Sequence, residues 1–294
     1  MVGSALAACL YGEGYDNLLA PSHSELDCID QLAVRNYLQA HKPQVVVIAA
    51  AKVGGIWANM TYPAEFIYEN LMIGSNLIHE SHQADIPRLL YLGSTCIYPR
   101  EAPQPMAEEV LLTGPLEETN EAYALAKIAC IKMCQFYRAQ YGRSYISAMP
   151  TNLYGPGDNY HPENSHVIPG LLRRFHEAKS SGSQTVQIWG TGQARREFLY
   201  VEDLARALLH LLQHYDEPGH INVGSLEEVA ILHLAKQVAL AVGYKGRIIH
   251  DLSKPDGMPR KKTDLSRILS LGWKPTISLE EGLKRTYQAF KNSL

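Results

Sequence analysis

Three apolar runs constrain this chain more than any other feature: "QVVVIAA" from Gln44, "RLLYLGS" from Arg88 and "YISAMPTNL" from Tyr145. A strand with one face in water alternates polar and apolar residues, so runs too continuous to alternate belong to strands covered on both faces. Long helical stretches separate them, "PAEFIYENLMIGSNLIHESHQ" and "NEAYALAKIACIKMCQFYRAQYG". Upstream, the spacing predicts an opening helix in "MVGSALAACLYGEG", a short strand in "YDNLLA" and a helix in "DQLAVRNYLQAH", with Asp30 near its start. Buried strands alternating with helices imply an α/β fold, a doubly wound parallel sheet that binds nucleotides at the carboxyl ends of its strands.

From about Gly155 the texture changes to a loop rich in Gly, Pro, Asp and Asn, a basic helix "VIPGLLRRFHEAK", short strands "VQIW" and "INVG", and helices near Val229 and Ser278. The expected division is residues 1–154 as a nucleotide-binding domain and 155–294 as a smaller, mainly substrate-binding α/β domain, with later segments returning to the first. At 294 residues and 46% apolar content the chain can bury a core of this size. Its net charge of −3 comes from well-mixed signs, which argues against a nucleic-acid partner. Cys9, Cys28, Cys96, Cys130 and Cys134 are scattered, without metal-type pairs, so a reducing, cytoplasmic setting and no metal site are expected. No apolar run approaches the ~18 residues of a membrane span.

Chemistry concentrates in three motifs: "LGSTC" at one strand end, "YALAK" on the next helix, and "PTNLYGP" at the following strand end. Residues four apart share a helix face, so Tyr123 and Lys127 can point together at Ser94. An ammonium beside a phenol favours phenolate, which would lower Tyr123 from its usual ~10 and suit it to proton transfer during carbonyl reduction. A Tyr and a Lys at this spacing occur on many solvated helices; the strand-end serine makes the set specific.

These residues resemble the extended short-chain dehydrogenase/reductase family, over essentially the whole chain. "AAAKVGGIWANMTYPAEFIYENLMI", "LGSTCIYPR", "MPTNLYGPGDNYHPENSHVIPGLLRRFHEA" and "KPDGMPRKK" sharpen the resemblance to the GDP-L-fucose synthase branch. That branch epimerises GDP-4-keto-6-deoxy-mannose at C3 and C5 and reduces the 4-keto group with NADPH. The resemblance implies a Rossmann-like fold and a GDP-sugar partner. It gives Ser94, Tyr123 and Lys127 for reduction, and Cys96 as base with His166 as acid for epimerisation. For NADP(H) it implies Met1, Val2, Gly3, Leu92, Gly93, Ser94, Thr95, Lys127, Pro150, Thr151, Asn152, Leu153 and His166. For the substrate it implies Arg174, Trp189, Arg196, Asp256 and Lys261. It also implies a homodimer built from helices flanking the sheet. Where some relatives place arginines suited to a 2′-phosphate, this chain offers His23 and Ser24, so NADP over NAD comes from the family rather than from charge.

In this family a strand and a turn of the form GxxGMVG would open the chain. "MVG" is the tail of that turn, with Gly3 the glycine that lets the helix pack close to the strand. The expectation is that the polypeptide starts upstream of Met1. The alternatives are a truncated, non-catalytic sugar-nucleotide-binding relative, or another sugar-nucleotide epimerase that uses NAD.

Overall fold

The computed structural model of the chain describes residues 1–162, 164–253 and 257–294. Helix α1 (Val2–Gly12) leads into irregular chain and then α2 (Gln31–His41), whose first turn is fixed by the Asp30 carboxylate accepting from the amides of Leu32 and Ala33. Strand β1 (Val45–Ile48), helices α3 (Ile56–Thr61) and α4 (Pro63–Gln83), β2 (Arg88–Leu92), α5 (Glu121–Tyr141) and β3 (Ser144–Pro150) follow. The second half runs β4 (Asn152–Tyr154), α6 (Val167–Ser181), β5 (Thr185–Trp189), β6 (Arg195–Tyr200), α7 (Val201–His214), β7 (His220–Val223) and β8 (Glu228–Ala230). It closes with α8 (Ile231–Val242), β9 (Arg247–Asp251), β10 (Arg260–Lys261), α9 (Ser266–Ser270) and α10 (Leu279–Asn292).

The main sheet is parallel, in the order β1-β2-β3-β7, with helices on both faces: a doubly wound, Rossmann-like architecture. Leu89, Tyr91, Tyr145 and Met149 pack with α2, α4 and α5 on one face, and Leu90, Leu92, Ile146 and Ala148 pack with α1 and α7 on the other. Every second residue thus meets a different helical layer, which is why these strands carry no polar alternation. Helices α4 and α5 approach closely at Gly74, where a Cβ would lie 2.3 Å from Cys130 Sγ.

One expectation fails at the amino end. Residues Tyr15–Ala20 form no strand, because a strand needs a hydrogen-bonded neighbour and β1 pairs with β2 alone. Around Gly3 a Cβ would meet nothing within 4 Å.

Beyond β3 the chain builds a second core from α6, β5, β6, α8 and α10. Strand β6 is its hub, parallel to β4 and β10 and antiparallel to β8, while β5 and β9 pair separately. Strand β7, the "INVG" segment, returns to the main sheet beside β3. Among the described residues no helix is long and apolar enough to cross a membrane.

Candidate active site

The site grows from the carboxyl ends of β2 and β3. Leu92 lies opposite Ala148 and Pro150 opposite Val223; the Gly93 amide donates to Ala148 O and the Thr151 amide to Val223 O, each at 2.9 Å. The segments Leu92–Thr95 and Pro150–Leu153 therefore leave the sheet side by side, where ligands collect in such folds. Ser94 is extended, and its hydroxyl accepts from the Cys96 amide at 3.3 Å, starting the turn Thr95–Ile97.

One turn of α5 then brings Tyr123 and Lys127 to this strand end. Lys127 is buried, donates from Nζ to Leu92 O at 2.8 Å, and lies over the rings of Tyr91 and Tyr123, 4.8 and 5.6 Å from their centres. The expected lowering of the Tyr123 phenol is not found. Burial, with the Cys96 thiol adding to it, pushes Tyr123 well above its usual range, and burial lowers the Lys127 ammonium to about 8. The ammonium is held by a carbonyl and sits over the ring, so desolvation outweighs its pull on the phenol.

Two donors converge on Cys96. Asn120 Nδ2 donates to Sγ at 3.3 Å, and Lys261 Nζ approaches it at 3.6 Å. Lys261, expected at the substrate, thus meets the sulfur from β10. Asn120 was missed by the sequence reading, although its place three residues before Tyr123 puts it on the same end of α5. Its Oδ1 is buried without a hydrogen-bond partner, a polar atom left over for a ligand.

His166 is the residue before α6 and offers no side-chain cap. Its side chain is reached by solvent yet closely surrounded by protein, and that crowding holds its imidazole below the usual range. The chain before it is pinned by the Gly55 amide donating to Asn164 O at 3.2 Å; a Cβ on Gly55 would sit 2.9 Å from Ser165 O. On α6, Arg174 donates to Gly170 O at 3.2 Å and to Gln187 O at 2.8 Å, tying the helix to β5, which ends in the exposed Trp189. Arg196, opposite Lys261 in the β6–β10 pair, is lowered by burial, with the Cys96 sulfur acting the other way. His166, Arg174 and Trp189 stand on elements of the second core, whereas Ser94, Cys96, Tyr123 and Lys127 stand at the main sheet. Asp256 lies outside the described residues.

The fit to a dinucleotide can be tested at α1. Helix α1 begins at Val2, after Met1, which supplies no side-chain cap; Met1 Cα would lie 3.8 Å from a Cβ on Gly157, so the amino end of α1 meets the loop leaving β4. Uncapped amides and the positive end of a helix suit a phosphate. The amino end of α1 thus presents the kind of donors a phosphate takes.

Comparisons with known proteins give the family. Residues 1–224 match the profile of the NAD dependent epimerase/dehydratase family. Putative GDP-L-fucose synthase 2 of Arabidopsis thaliana is 54% identical over 98% of this chain and 88% of its own length. GDP-L-fucose synthase of Escherichia coli K12 is 53% identical over 99% of this chain and 93% of its own length. Among solved structures, the GDP-mannoheptose C4 reductase MlghC from Campylobacter jejuni, with NADP bound, superposes with a TM-score of 0.91 at 37% identity, over 99% of this chain and 95% of that one.

Proposed function

Since the chain belongs to the NAD dependent epimerase/dehydratase family, we propose that it makes GDP-L-fucose from GDP-4-keto-6-deoxy-mannose, inverting C3 and C5 and reducing C4. The observation that carries this reading is the Lys127 contact with Leu92 O, because it seats the Tyr123–Lys127 pair at the strand end that also bears Ser94 and Cys96. NADPH supplies the hydride when bound. Leu92–Thr95, Pro150–Leu153, Lys127, His166 and the amino end of α1 from Met1 to Gly3 would hold it, and residues 155–294 would mainly hold the sugar nucleotide.

The protons next to the ketone are acidic because their loss gives an enolate delocalised onto the C4 oxygen. Cys96 takes a proton from the ring carbon, with the Lys261 ammonium as the ion partner for its thiolate. His166 returns a proton from the opposite side, which inverts the centre. Ser94 and Tyr123 meet the C4 oxygen, and Tyr123 gives it a proton as the alcohol forms. A reduction needs that group protonated, so the raised phenol suits the task. Arg174 and Arg196 supply cations for the diphosphate and Trp189 an exposed flat face for the base.

The second copy of a homodimer would cover the outer faces of α4 and α5, where Tyr68, Leu125 and Phe136 are exposed, and a cytoplasmic setting accords with five free thiols. The test is NADPH oxidation, followed at 340 nm, with GDP-4-keto-6-deoxy-mannose. One NADPH consumed per GDP-L-fucose formed supports the reading; no oxidation, or a reduced product with unchanged C3 and C5, refutes it.

A further inference from the structure

Glu197 on β6 is fully buried and has no part in the chemistry above. Its Oε2 accepts from both the amide and the hydroxyl of Thr263, each at 2.7 Å. Oε1 has no partner and faces Gly224, where a Cβ would come within 3.3 Å of it. Burial outweighs the two Thr263 donors and pushes the carboxyl up to about 7. A carboxyl group so isolated is costly to keep, and its neighbours show what it holds.

Thr263 lies two residues beyond Lys261, in a segment held on one side by Arg260, which pairs with Glu228, and on the other by the Asp264 amide, which donates to Met106 O at 2.9 Å. Among the described residues, Glu197 supplies the carboxylate that meets Thr263 itself. Strand β10 is two residues long, with Lys261 opposite Arg196 on β6, and so short a ladder leaves register weakly specified. Further along, Lys262 O accepts from the Met106 amide at 2.7 Å and the Lys262 amide donates to Gln104 Oε1 at 2.8 Å. On its other side, the Glu197 carbonyl accepts from Asn152 Nδ2 at 2.9 Å. Glu197 is therefore the junction between the strand end bearing Asn152, the strand bearing Arg196 and the strand bearing Lys261.

We propose that Glu197 is a positioning residue, its carboxylate fixing Thr263 and with it the Arg260–Lys261 strand in the register that brings the Lys261 ammonium to the Cys96 sulfur. The role in catalysis rests on the proposed function of Cys96; the placement itself does not require turnover to be measured. A thiolate is the form that alkylating agents attack, and a paired ammonium favours it.

The experiment compares rates of Cys96 modification by iodoacetamide in the full chain, read by peptide mass spectrometry. Lys261→Met and Glu197→Ala should each slow the reaction threefold or more. Combining them should slow it no further than Lys261→Met alone, because one acts through the other. Thr263→Val should slow it as well, while Thr263→Ser, which keeps the hydroxyl, should retain the wild-type rate. Multiplicative slowing in the double variant, a wild-type rate in Lys261→Met, or a wild-type rate in a folded Glu197→Ala overturns the proposal. If Glu197→Ala does not fold, equal rates in Thr263→Val and Thr263→Ser overturn it instead. The functional reading fails separately: wild-type protein that shows this coupling but no NADPH oxidation refutes the reaction and leaves the positioning role standing.

Discussion

Replacing His220 by Gln removes an acid-sensitive anchor beneath the turn that carries Cys96. Tyr98, two residues after Cys96, is buried and donates its hydroxyl hydrogen to Asn222 Oδ1 at 2.5 Å. The hydrogen between Tyr98 O and His220 Nε2, 3.1 Å apart, must then come from the imidazole. Burial, with Arg267 and Lys132 adding to it and Glu109 opposing, holds His220 down to about 4 against an ordinary ~6.5. The unfolded chain therefore takes up this proton first, and stability from His220 is present above the unfolded value and lost as pH falls from ~6.5 toward 4. The full gap corresponds to about 3 kcal/mol, of which about 2 kcal/mol falls between pH 7 and pH 5. Urea unfolding of wild type and His220→Gln at these two pH values isolates the contribution. The buried carboxyls of Asp158 and Glu197, which are pushed up to about 6 and about 7, act with the opposite sign but equally in both proteins. At pH 7 the variant should be less stable by about 1 kcal/mol for its altered hydrogen bond; at pH 5 it should match or exceed the wild type. A stability difference that stays constant within about 0.5 kcal/mol between the two pH values would refute the reasoning.

Cys96→Ser should fold and bind NADPH normally yet slow epimerisation, seen as loss of solvent deuterium entering C3 and C5; unchanged incorporation would defeat the assignment of Cys96 as base. Tyr123→Phe should lower kcat for NADPH oxidation by about 10²-fold or more with NADPH affinity retained, and a smaller effect would mean another group protonates the ketone. Gly74→Ala forces a Cβ to within 2.3 Å of Cys130 Sγ between α4 and α5, for which overpacking costs about 1–3 kcal/mol; adding Cys130→Ala should recover much of this in thermal unfolding.

What was legible in the sequence was local or periodic. Strands β1, β2 and β3 were visible because coverage on both faces leaves an unbroken apolar run, and α2 because Asp30 supplies its cap. The Tyr123–Lys127 pair was visible because helical spacing alone puts the two on one face. The failures share a different cause. Whether Tyr15–Ala20 forms a strand depends on a backbone neighbour elsewhere in the chain. The contacts of Lys261 and Asn120 with Cys96 span 165 and 24 residues, and Glu197 meets Thr263 across 66; no spacing rule reaches across such separations. The direction of the Tyr123 shift was misread for a related reason. Motifs report which charges can be neighbours, but not how much water the fold removes from around them.

That removal of water acts on Tyr123 and Lys127 together. Burial moves both groups toward their neutral forms, the phenol up and the ammonium down to about 8. The phenol thus enters reduction protonated. Once it has given its proton to the C4 oxygen, a phenolate results whose conjugate acid is weaker than usual, beside an ammonium that is stronger than usual. In the proposed reaction Lys127, held by the Leu92 carbonyl at 2.8 Å, would therefore stand as a charge beside the phenolate rather than as the group that keeps the resting phenol ionised.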